Sequence, residues 1–209
     1  MKVKPLDVGE CELLADDLVA LYFPHITRRV LFARYGVHGD GSCFFHSLCC
    51  AVDPEYTQSS AAEQKRKGRE YRHKFKQYLT DERWAQFLRR HNLSNPGMSA
   101  GEVRANFSDP KVWADELMIR FVSSALKMNI LFIDMTNGSI YCGVHGRHEE
   151  PLIVVLWIDR SHFEPLCVMT NVDTKNPNRV AAQFQFLPDR DTDIVQSVLQ
   201  NYQAQCSVD

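Results

Sequence analysis

The chain has 209 residues, of which 44% are hydrophobic, and this is enough to build the core of one medium-sized domain. The formal net charge of −2 gives no global sign of a nucleic acid or an anionic membrane as partner. The N-terminus lacks the apolar stretch of a signal peptide, and no apolar run is long enough to span a membrane. The seven scattered cysteines are typical of free thiols in a reducing compartment, so we expect an intracellular, cytoplasmic protein without a membrane partner.

Helical patterns fill the first 128 residues. Apolar residues recur at the spacing of one helical face, and Ser60 and Asp109 stand where N-terminal caps are expected. The predicted helices are residues 8–22, the segment that starts at Cys43, a charged segment after Ser60 with Tyr71, Phe75, Tyr78 and Leu79 on its apolar side, a short segment with Trp84, Phe87 and Leu88, and residues 109–128 with Trp113 and Phe121 in the core.

From residue 129 onward the pattern changes from helix to strand. The apolar runs 130–133 and 140–142 flank Asn137-Gly138 and predict a β-hairpin. The continuous run 152–158 predicts a strand covered on both faces, residues 166–169 predict another, and residues 194–202 predict a last helix. No linker divides the chain, so we expect residues 1–209 to form a single α+β domain.

One short segment is built to present a thiol at the start of a helix. Asp40 and Gly41 are turn residues that adopt sharp backbone conformations. Cys43 follows them in the first helical turn, where the helix dipole lowers the pKa of a thiol. The free amides of that turn also form a site for a developing negative charge. The segment therefore predicts a nucleophile together with an oxyanion site.

A cysteine nucleophile needs a base and a group that orients the base. His162 lies in a short polar turn between two predicted strands, and Glu164 falls on the same side as His162 if the backbone is extended. Glu164 would then accept the Nδ1 proton of His162 and leave Nε2 facing the sulfur. Asp40 is a second candidate carboxylate, and we expect His162 to be partly exposed.

Several segments together resemble the ovarian-tumour (OTU) family of cysteine peptidases. Residues 39–47, Gly-Asp-Gly-Ser-Cys-Phe-Phe-His-Ser, resemble the family's nucleophile motif, and residues 162–166, His-Phe-Glu-Pro-Leu, resemble its histidine motif. Residues 113–130 are similar to its tryptophan-led helix that runs into a central strand, and residues 71–87 are similar to an earlier helical stretch. The resemblance covers about residues 30–170 in the expected order, flanked by N- and C-terminal helical extensions.

The resemblance implies a papain-type α+β fold, with a central mixed or mostly antiparallel sheet packed between helices. It makes Cys43 the nucleophile and His162 the general base, and it counts Asp40 among the catalytic residues. Glu164 stands where many members have Asn or Asp. The backbone amides of Asp40, Gly41, Ser42 and Cys43 would form the oxyanion hole.

The implied activity is deubiquitination without a cofactor. The implied partners are ubiquitin, polyubiquitin chains and ubiquitin-like modifiers, bound by a monomer. The histidine motif is reminiscent of viral and other pathogen-encoded members, for which the host cytoplasm would be the location.

Other interpretations stay open at this stage. The basic residues between Lys65 and Lys76 are interleaved with glutamate and glutamine and fit a solvated helix face better than a nucleic-acid site. Cys142, His145 and His148 have metal-like spacing but lack a second ligand pair. Two alternative functions are a ubiquitin-binding module without catalysis and a cysteine hydrolase or acyltransferase with an unrelated substrate.

Overall fold

A computed structural model describes residues 3–22, 31–94, 97–142, 152–169 and 185–186 of the chain. The elements in these ranges are, in chain order, β1 (Cys11–Leu13), α1 (Asp16–Tyr22), β2 (Leu31–Tyr35), α2 (Cys43–Val52), α3 (Ala61–Tyr78), α4 (Asp81–Arg90), α5 (Ala100–Ser108), α6 (Glu116–Leu126), β3 (Asn129–Asp134), β4 (Ile140–Cys142), β5 (Leu152–Ile158), β6 (His162–Met169) and β7 (Gln185–Phe186). A short 3-10 helix, Tyr56–Gln58, lies between α2 and α3. This content confirms the predicted α+β class.

The described strands form one mixed sheet in the order β1-β2-β6-β5-β3-β4, and β7 also pairs with β6. Only the β3–β5 pair is parallel among these strands. The first half of β6 pairs with β5 and its second half pairs with β2, so β6 joins the two parts of the sheet. His162 is the first residue of this central strand.

Each face of the sheet is covered by its own apolar core. Helices α2 to α6 pack on one face, in a core rich in aromatic rings that includes Phe163 and Cys167 of β6. On the other face, Leu166 belongs to a smaller core that is closed by Leu18 and Val19 of α1. Alternation along β6 explains this division, because successive side chains of a strand point to opposite faces. The arrangement confirms the expected sheet packed between helices.

Two predicted helices have the wrong limits. Residues 8–22 are not one helix, because Cys11–Leu13 pairs with β2 as an edge strand and only Asp16–Tyr22 is helical. The helix predicted from Asp109 begins at Glu116, where the Asp115 carboxylate accepts the Met118 amide hydrogen at 2.8 Å. Asp109 instead ends α5 and accepts the amide hydrogen of Lys111 in a turn.

Several predictions about which residues are buried in the helical part are also wrong. Trp113 precedes α6 and is 54% exposed, and Tyr78 is 40% exposed. Helix α5 was not predicted, although Ser99 and Glu102 form a complete capping box at its start. Helix α4 with buried Trp84 and Phe87, the helix after Ser60, and the burial of Phe121 are confirmed.

The strand predictions are largely confirmed. The β3–β4 hairpin turns through Gly138, which has φ +77°, and β5 spans the residues expected of it. The strand predicted at 166–169 begins earlier, at His162, so this histidine lies on a strand and not in a turn. The helix predicted at 194–202 lies outside the described residues. Among the described helices, none combines the length and apolarity needed to cross a membrane.

Candidate active site

The loop before α2 has the sharp turn that the sequence predicts. Gly41 has φ +80°, a conformation that favours glycine, and a Cβ atom there would lie 1.7 Å from the Pro110 carbonyl oxygen. Cys43 is the first residue of α2 and is buried. The thiol therefore stands at the start of a helix, as expected.

The electrostatic surroundings of Cys43 differ from the prediction. Burial raises the pKa of the Cys43 thiol, and this outweighs the backbone amides of Phe163, Phe44 and Cys43, which lower it. The predicted lowering of this pKa is therefore wrong, because the amides of one helical turn do not replace the lost hydration of a thiolate. A neutral thiol of this kind needs a base before it can attack a substrate.

His162 lies beside the nucleophile loop. A Cβ atom on Gly39 would be 3.8 Å from both Nδ1 and Cε1 of the His162 ring. Ser47 Oγ donates to the Cys43 carbonyl at 2.9 Å and to the Phe163 carbonyl at 3.2 Å, so the start of α2 is joined to the start of β6. His162 is 7% exposed, which contradicts the expected partial exposure. Burial, with the His46 ring nearby, lowers the pKa of His162 and favours the neutral imidazole.

Glu164 lies on the same side of β6 as His162, as predicted, but faces the other ring nitrogen. His162 Nε2 is 4.0 Å from Glu164 Oε1, and Nε2 has no hydrogen-bond partner among the described residues. The predicted contact of Glu164 with Nδ1 is therefore wrong. The edge of the ring that carries Nδ1 faces the nucleophile loop, and Nε2 faces a fully buried carboxylate. The 4.0 Å separation is an ion-pair distance and exceeds a hydrogen bond.

The carboxylate of Asp40 is directed into its own loop rather than at His162. It accepts the Ser42 amide hydrogen at 3.2 Å and lies 3.0 Å from His46 Nε2 and 3.3 Å from Arg69 Nε. Burial alone would raise the pKa of Asp40, but the hydrogen bond and charge of His46, the Ser42 amide and Arg69 lower it to about 2. Asp40 thus shapes the loop that carries the nucleophile.

His46 holds Asp40 in place and was not singled out from the sequence. Its Nδ1 lies 2.6 Å from the Tyr56 hydroxyl, and its Nε2 lies 3.0 Å from the Asp40 carboxylate, which can only accept, so Nε2 donates to Asp40. Gly68 of α3 gives the ring its space, because a Cβ atom there would be 2.1 Å from His46 Cε1. His46 lies three residues after Cys43 on the same helix, and this spacing is the sequence signal that could have identified it.

Arg72 is a further residue of the site whose role the sequence analysis did not predict. It was grouped with the solvated basic residues of α3, but it is 3% exposed. Its guanidinium donates to five backbone carbonyl groups, those of Gly41, Asn106, Phe107, Asp109 and Val112, at 2.5–3.0 Å. Arg72 therefore connects the nucleophile loop to the segment between α5 and α6.

A pattern in α3 could have identified this residue. The buried residues of the helix are Gln64, Gly68, Arg72 and Phe75, which recur at helical spacing. A charged residue inside such a stripe is a candidate for a buried contact rather than for a solvated face.

The metal hypothesis gains no support from the described residues. Among them, no group of three or more His, Cys, Asp or Glu side chains is placed to hold a metal ion. His145 and His148, which carried that hypothesis, lie outside the described residues.

The described residues thus bring together a thiol at the start of a helix, an imidazole at the start of the central strand and a buried carboxylate beside that imidazole. The sequence matches no family model and no curated protein. Its structure is similar to that of an ovarian tumour (OTU) domain in complex with ubiquitin, with a TM-score of 0.51 and 15% identity over 86% of this chain and 90% of that chain.

Two viral structures are also similar. The Hazara virus OTU bound to ubiquitin has a TM-score of 0.48 and 17% identity over 67% of this chain and 83% of that chain. The OTU domain protease of Dera Ghazi Khan virus has a TM-score of 0.46 and 18% identity over 68% of this chain and 90% of that chain. The chain has the OTU fold, as the match to the ubiquitin-bound OTU domain shows. This confirms the fold that the sequence resemblance implied.

Proposed function

We propose that this protein is an OTU-type cysteine deubiquitinase that hydrolyses isopeptide bonds at the C-terminal glycine of ubiquitin. One observation carries the proposal. The Cys43 thiol lies against the backbone amide of Phe163, the residue that follows His162, and Nε2 of His162 faces buried Glu164. The OTU fold and the ubiquitin in the similar OTU-domain structure support the choice of substrate. Ubiquitin-like modifiers are further candidate substrates of the same site.

The first half of the reaction transfers the acyl group to sulfur. His162 takes the proton of the Cys43 thiol as the sulfur attacks the glycine carbonyl carbon. The carbonyl oxygen becomes an oxyanion, and its collapse breaks the bond to the lysine nitrogen. His162 returns the proton to that nitrogen, so a neutral amine leaves and a thioester remains.

The second half returns the enzyme to its starting state. Water attacks the thioester carbon while His162 accepts a water proton, and the resulting tetrahedral species expels the thiolate. His162 then protonates the sulfur, and ubiquitin leaves with a free C-terminal carboxyl group, which ionises in water. Glu164 stabilises the imidazolium that forms in both halves, from the side of Nε2.

Of the four amides expected to form the oxyanion hole, that of Ser42 already has a partner within the loop. Arg72 Nη1 donates to the Gly41 carbonyl at 2.7 Å, and the Ser42 amide of the same peptide plane donates to Asp40. The Ser42 amide is thus used within the loop. We assign the oxyanion to the amides of Asp40, Gly41 and Cys43, which Asp40, His46 and Arg72 hold in position.

A ubiquitin probe with a C-terminal electrophile tests the proposal. We expect covalent labelling at Cys43, no labelling of Cys43→Ala or His162→Ala, and labelling of Cys11→Ala, which removes a thiol of the edge strand β1. Binding without labelling would instead indicate a ubiquitin-binding module. Neither binding nor labelling would leave a cysteine hydrolase or acyltransferase with another substrate, and either result would contradict the proposal.

A further inference from the structure

The carboxylate of Glu164 is held by a segment that the proposed reaction does not otherwise use. We call this segment, residues 3–10, the N-terminal strap. The Leu6 amide of the strap donates to Glu164 Oε1 at 2.7 Å. Arg34 of β2 donates through Nη1 to Glu164 Oε2 at 3.1 Å and to the Lys4 carbonyl of the strap at 2.8 Å. Both carboxylate oxygens are thereby fixed.

The oxygen that the strap binds is the one that faces the proposed base. Oε1 accepts the Leu6 amide hydrogen and is also the oxygen 4.0 Å from His162 Nε2. Burial raises the pKa of Glu164, and of the groups that lower it the Leu6 amide contributes most, followed by Arg34. The strap therefore sets the direction of this carboxylate and partly opposes the effect of burial on its pKa.

We propose that the N-terminal strap is a positioning element of the active site: its Leu6 amide, together with Arg34, holds the Glu164 carboxylate aimed at His162, so that full turnover requires a docked strap. This inference rests on the proposed function. It gives a positioning role to the backbone amide of Leu6, which is 158 residues away from Glu164 in the sequence.

The strap is held by few contacts, so single substitutions can release it. Most of its residues are exposed, and only Val3 and Leu6 are partly buried. Gly9 donates to the Gly36 carbonyl, and Gly36 donates to the Glu10 carbonyl, both at 2.9 Å. A Cβ atom on Gly36 would lie 2.0 Å from the Asp7 carbonyl oxygen, so Gly36 allows the strap to approach the sheet.

Two variants release the strap in different ways, and a third is a matched control. Leu6→Pro removes the amide that binds Glu164, and Gly36→Ala pushes the strap from the sheet side. Gly101→Ala, the control for Gly36→Ala, adds a Cβ atom at an exposed position of α5, where it would lie 3.8 Å from Ser99 Oγ, an ordinary van der Waals distance. Circular dichroism and thermal unfolding check that each variant folds.

We expect Leu6→Pro and Gly36→Ala to lower kcat for a ubiquitin substrate by about ten- to a hundredfold, because a misplaced catalytic group costs this much. KM should not change, since Glu164 is fully buried and cannot touch the substrate. Gly101→Ala, outside the strap, should keep wild-type values. Wild-type turnover in folded Leu6→Pro would overturn the proposal.

A double variant tests whether the strap acts through Glu164. Glu164→Met keeps the length of the side chain but removes both oxygens, so adding Leu6→Pro to it should cost no further activity. A further loss as large as that of Leu6→Pro alone would show that the strap acts elsewhere and would overturn the proposal.

Hydrogen exchange separates a failure of the strap from a failure of the proposed function. The Leu6 amide hydrogen should exchange slowly in the Cys43→Ala variant, which lacks the proposed nucleophile. Adding Glu164→Met to that variant removes the acceptor of this hydrogen and should make its exchange faster. A wild-type enzyme that never reacts with ubiquitin would refute the proposed function and with it the catalytic role of the strap. Fast exchange at Leu6 in an active enzyme would refute the strap alone.

Discussion

In the environment of the site, the neutral forms of Cys43 and His162 are favoured over a preformed thiolate–imidazolium ion pair. Burial is the first cause in both cases: it raises the pKa of the thiol and lowers the pKa of the imidazole. A thiolate–imidazolium pair would need the opposite shifts. Cys43 of the free enzyme is therefore expected to keep its proton on sulfur until the substrate carbonyl is in place and His162 removes that proton.

This state predicts how the thiol reacts with a small electrophile. The rate of Cys43 alkylation by iodoacetamide should rise steadily from pH 6 to pH 9.5, because the reactive thiolate forms only as the raised pKa is approached. Mass spectrometry of the labelled peptide measures the rate, and Cys43→Ala gives the background from the other thiols. A plateau of high reactivity that extends below pH 6 would show an ion pair and contradict this assignment.

At the residue level, the sequence correctly placed Cys43 at a helix start and Glu164 on the same side of the chain as His162, but it placed His162 in a turn and misjudged the environment of these groups. The pKa direction of Cys43 and the ring nitrogen that faces Glu164 were wrong. Both depend on how deeply the site is buried and on side-chain rotation, which only the packed structure determines.

Helix α3 helps to shape the site, although none of its residues is assigned a chemical step. Gly68 leaves space for the His46 ring, and Arg72 joins the Gly41 carbonyl to four carbonyl groups between residues 106 and 112. A lysine at position 72 would keep the charge but cannot reach five acceptors in one plane. The guanidinium thus holds two loops together that approach within van der Waals contact at Gly41 and Pro110.

We predict that Arg72→Lys lowers the free energy of unfolding by about 3 kcal/mol or more, because it leaves several buried carbonyl groups without donors. It should also lower kcat, since the Gly41 peptide loses its anchor. Arg69→Lys on the same helix is the matched control: Arg69 is largely exposed, so we expect a change within about 0.5 kcal/mol. Urea denaturation measures both, and equal effects of the two variants would contradict the role of Arg72.

At the level of elements, the sequence predicted those with a strong local signal and missed those that depend on distant partners. The β3–β4 hairpin, β5 and the helix after Ser60 have clear apolar periodicity or turn residues. Strands β1 and β2 were missed because their pairing, Cys11 with Tyr35 and Ala33 with Cys167, joins residues far apart in the chain. The start of α6 was misplaced because Asp109 and Asp115 carry equally good capping side chains.

On the scale of the whole molecule, the candidate site joins the two faces of the sheet. Cys43 approaches from the helical face, while Glu164 belongs to the face on which the N-terminal strap and α1 lie. His162, at the first residue of β6, lies between the two. Correct assembly of the site therefore depends on packing on both faces. That packing also buries titratable groups, among them His162 and Glu164.

This burial predicts how the stability of the whole domain depends on pH. Burial lowers the pKa of His38, with His46 and Lys65 adding to the effect and Asp40 and Gln64 opposing it, and burial also lowers the pKa of His162. Below the unfolded histidine pKa of about 6.5, the unfolded chain binds protons that the folded chain does not. The stability from these two neutral histidines is thus present above about pH 6.5 and is lost as the pH falls through their lower folded values.

Urea denaturation between pH 7.5 and pH 5.5 should therefore show a falling free energy of unfolding, with each unit of lowered pKa corresponding to about 1.4 kcal/mol at full effect. Asp40 does not contribute in this range, because its folded pKa of about 2 and its unfolded value both lie below it. His38→Gln should reduce the loss, because it removes one of the two histidines whose pKa is lowered. His38 Nε2 has no hydrogen-bond partner among the described residues, so the substitution breaks no such bond at that atom. His73→Gln, an exposed position on α3, is the matched control and should leave the pH dependence unchanged. If His38→Gln loses as much stability over this range as the wild-type protein, the buried neutral His38 is not a source of the acid sensitivity.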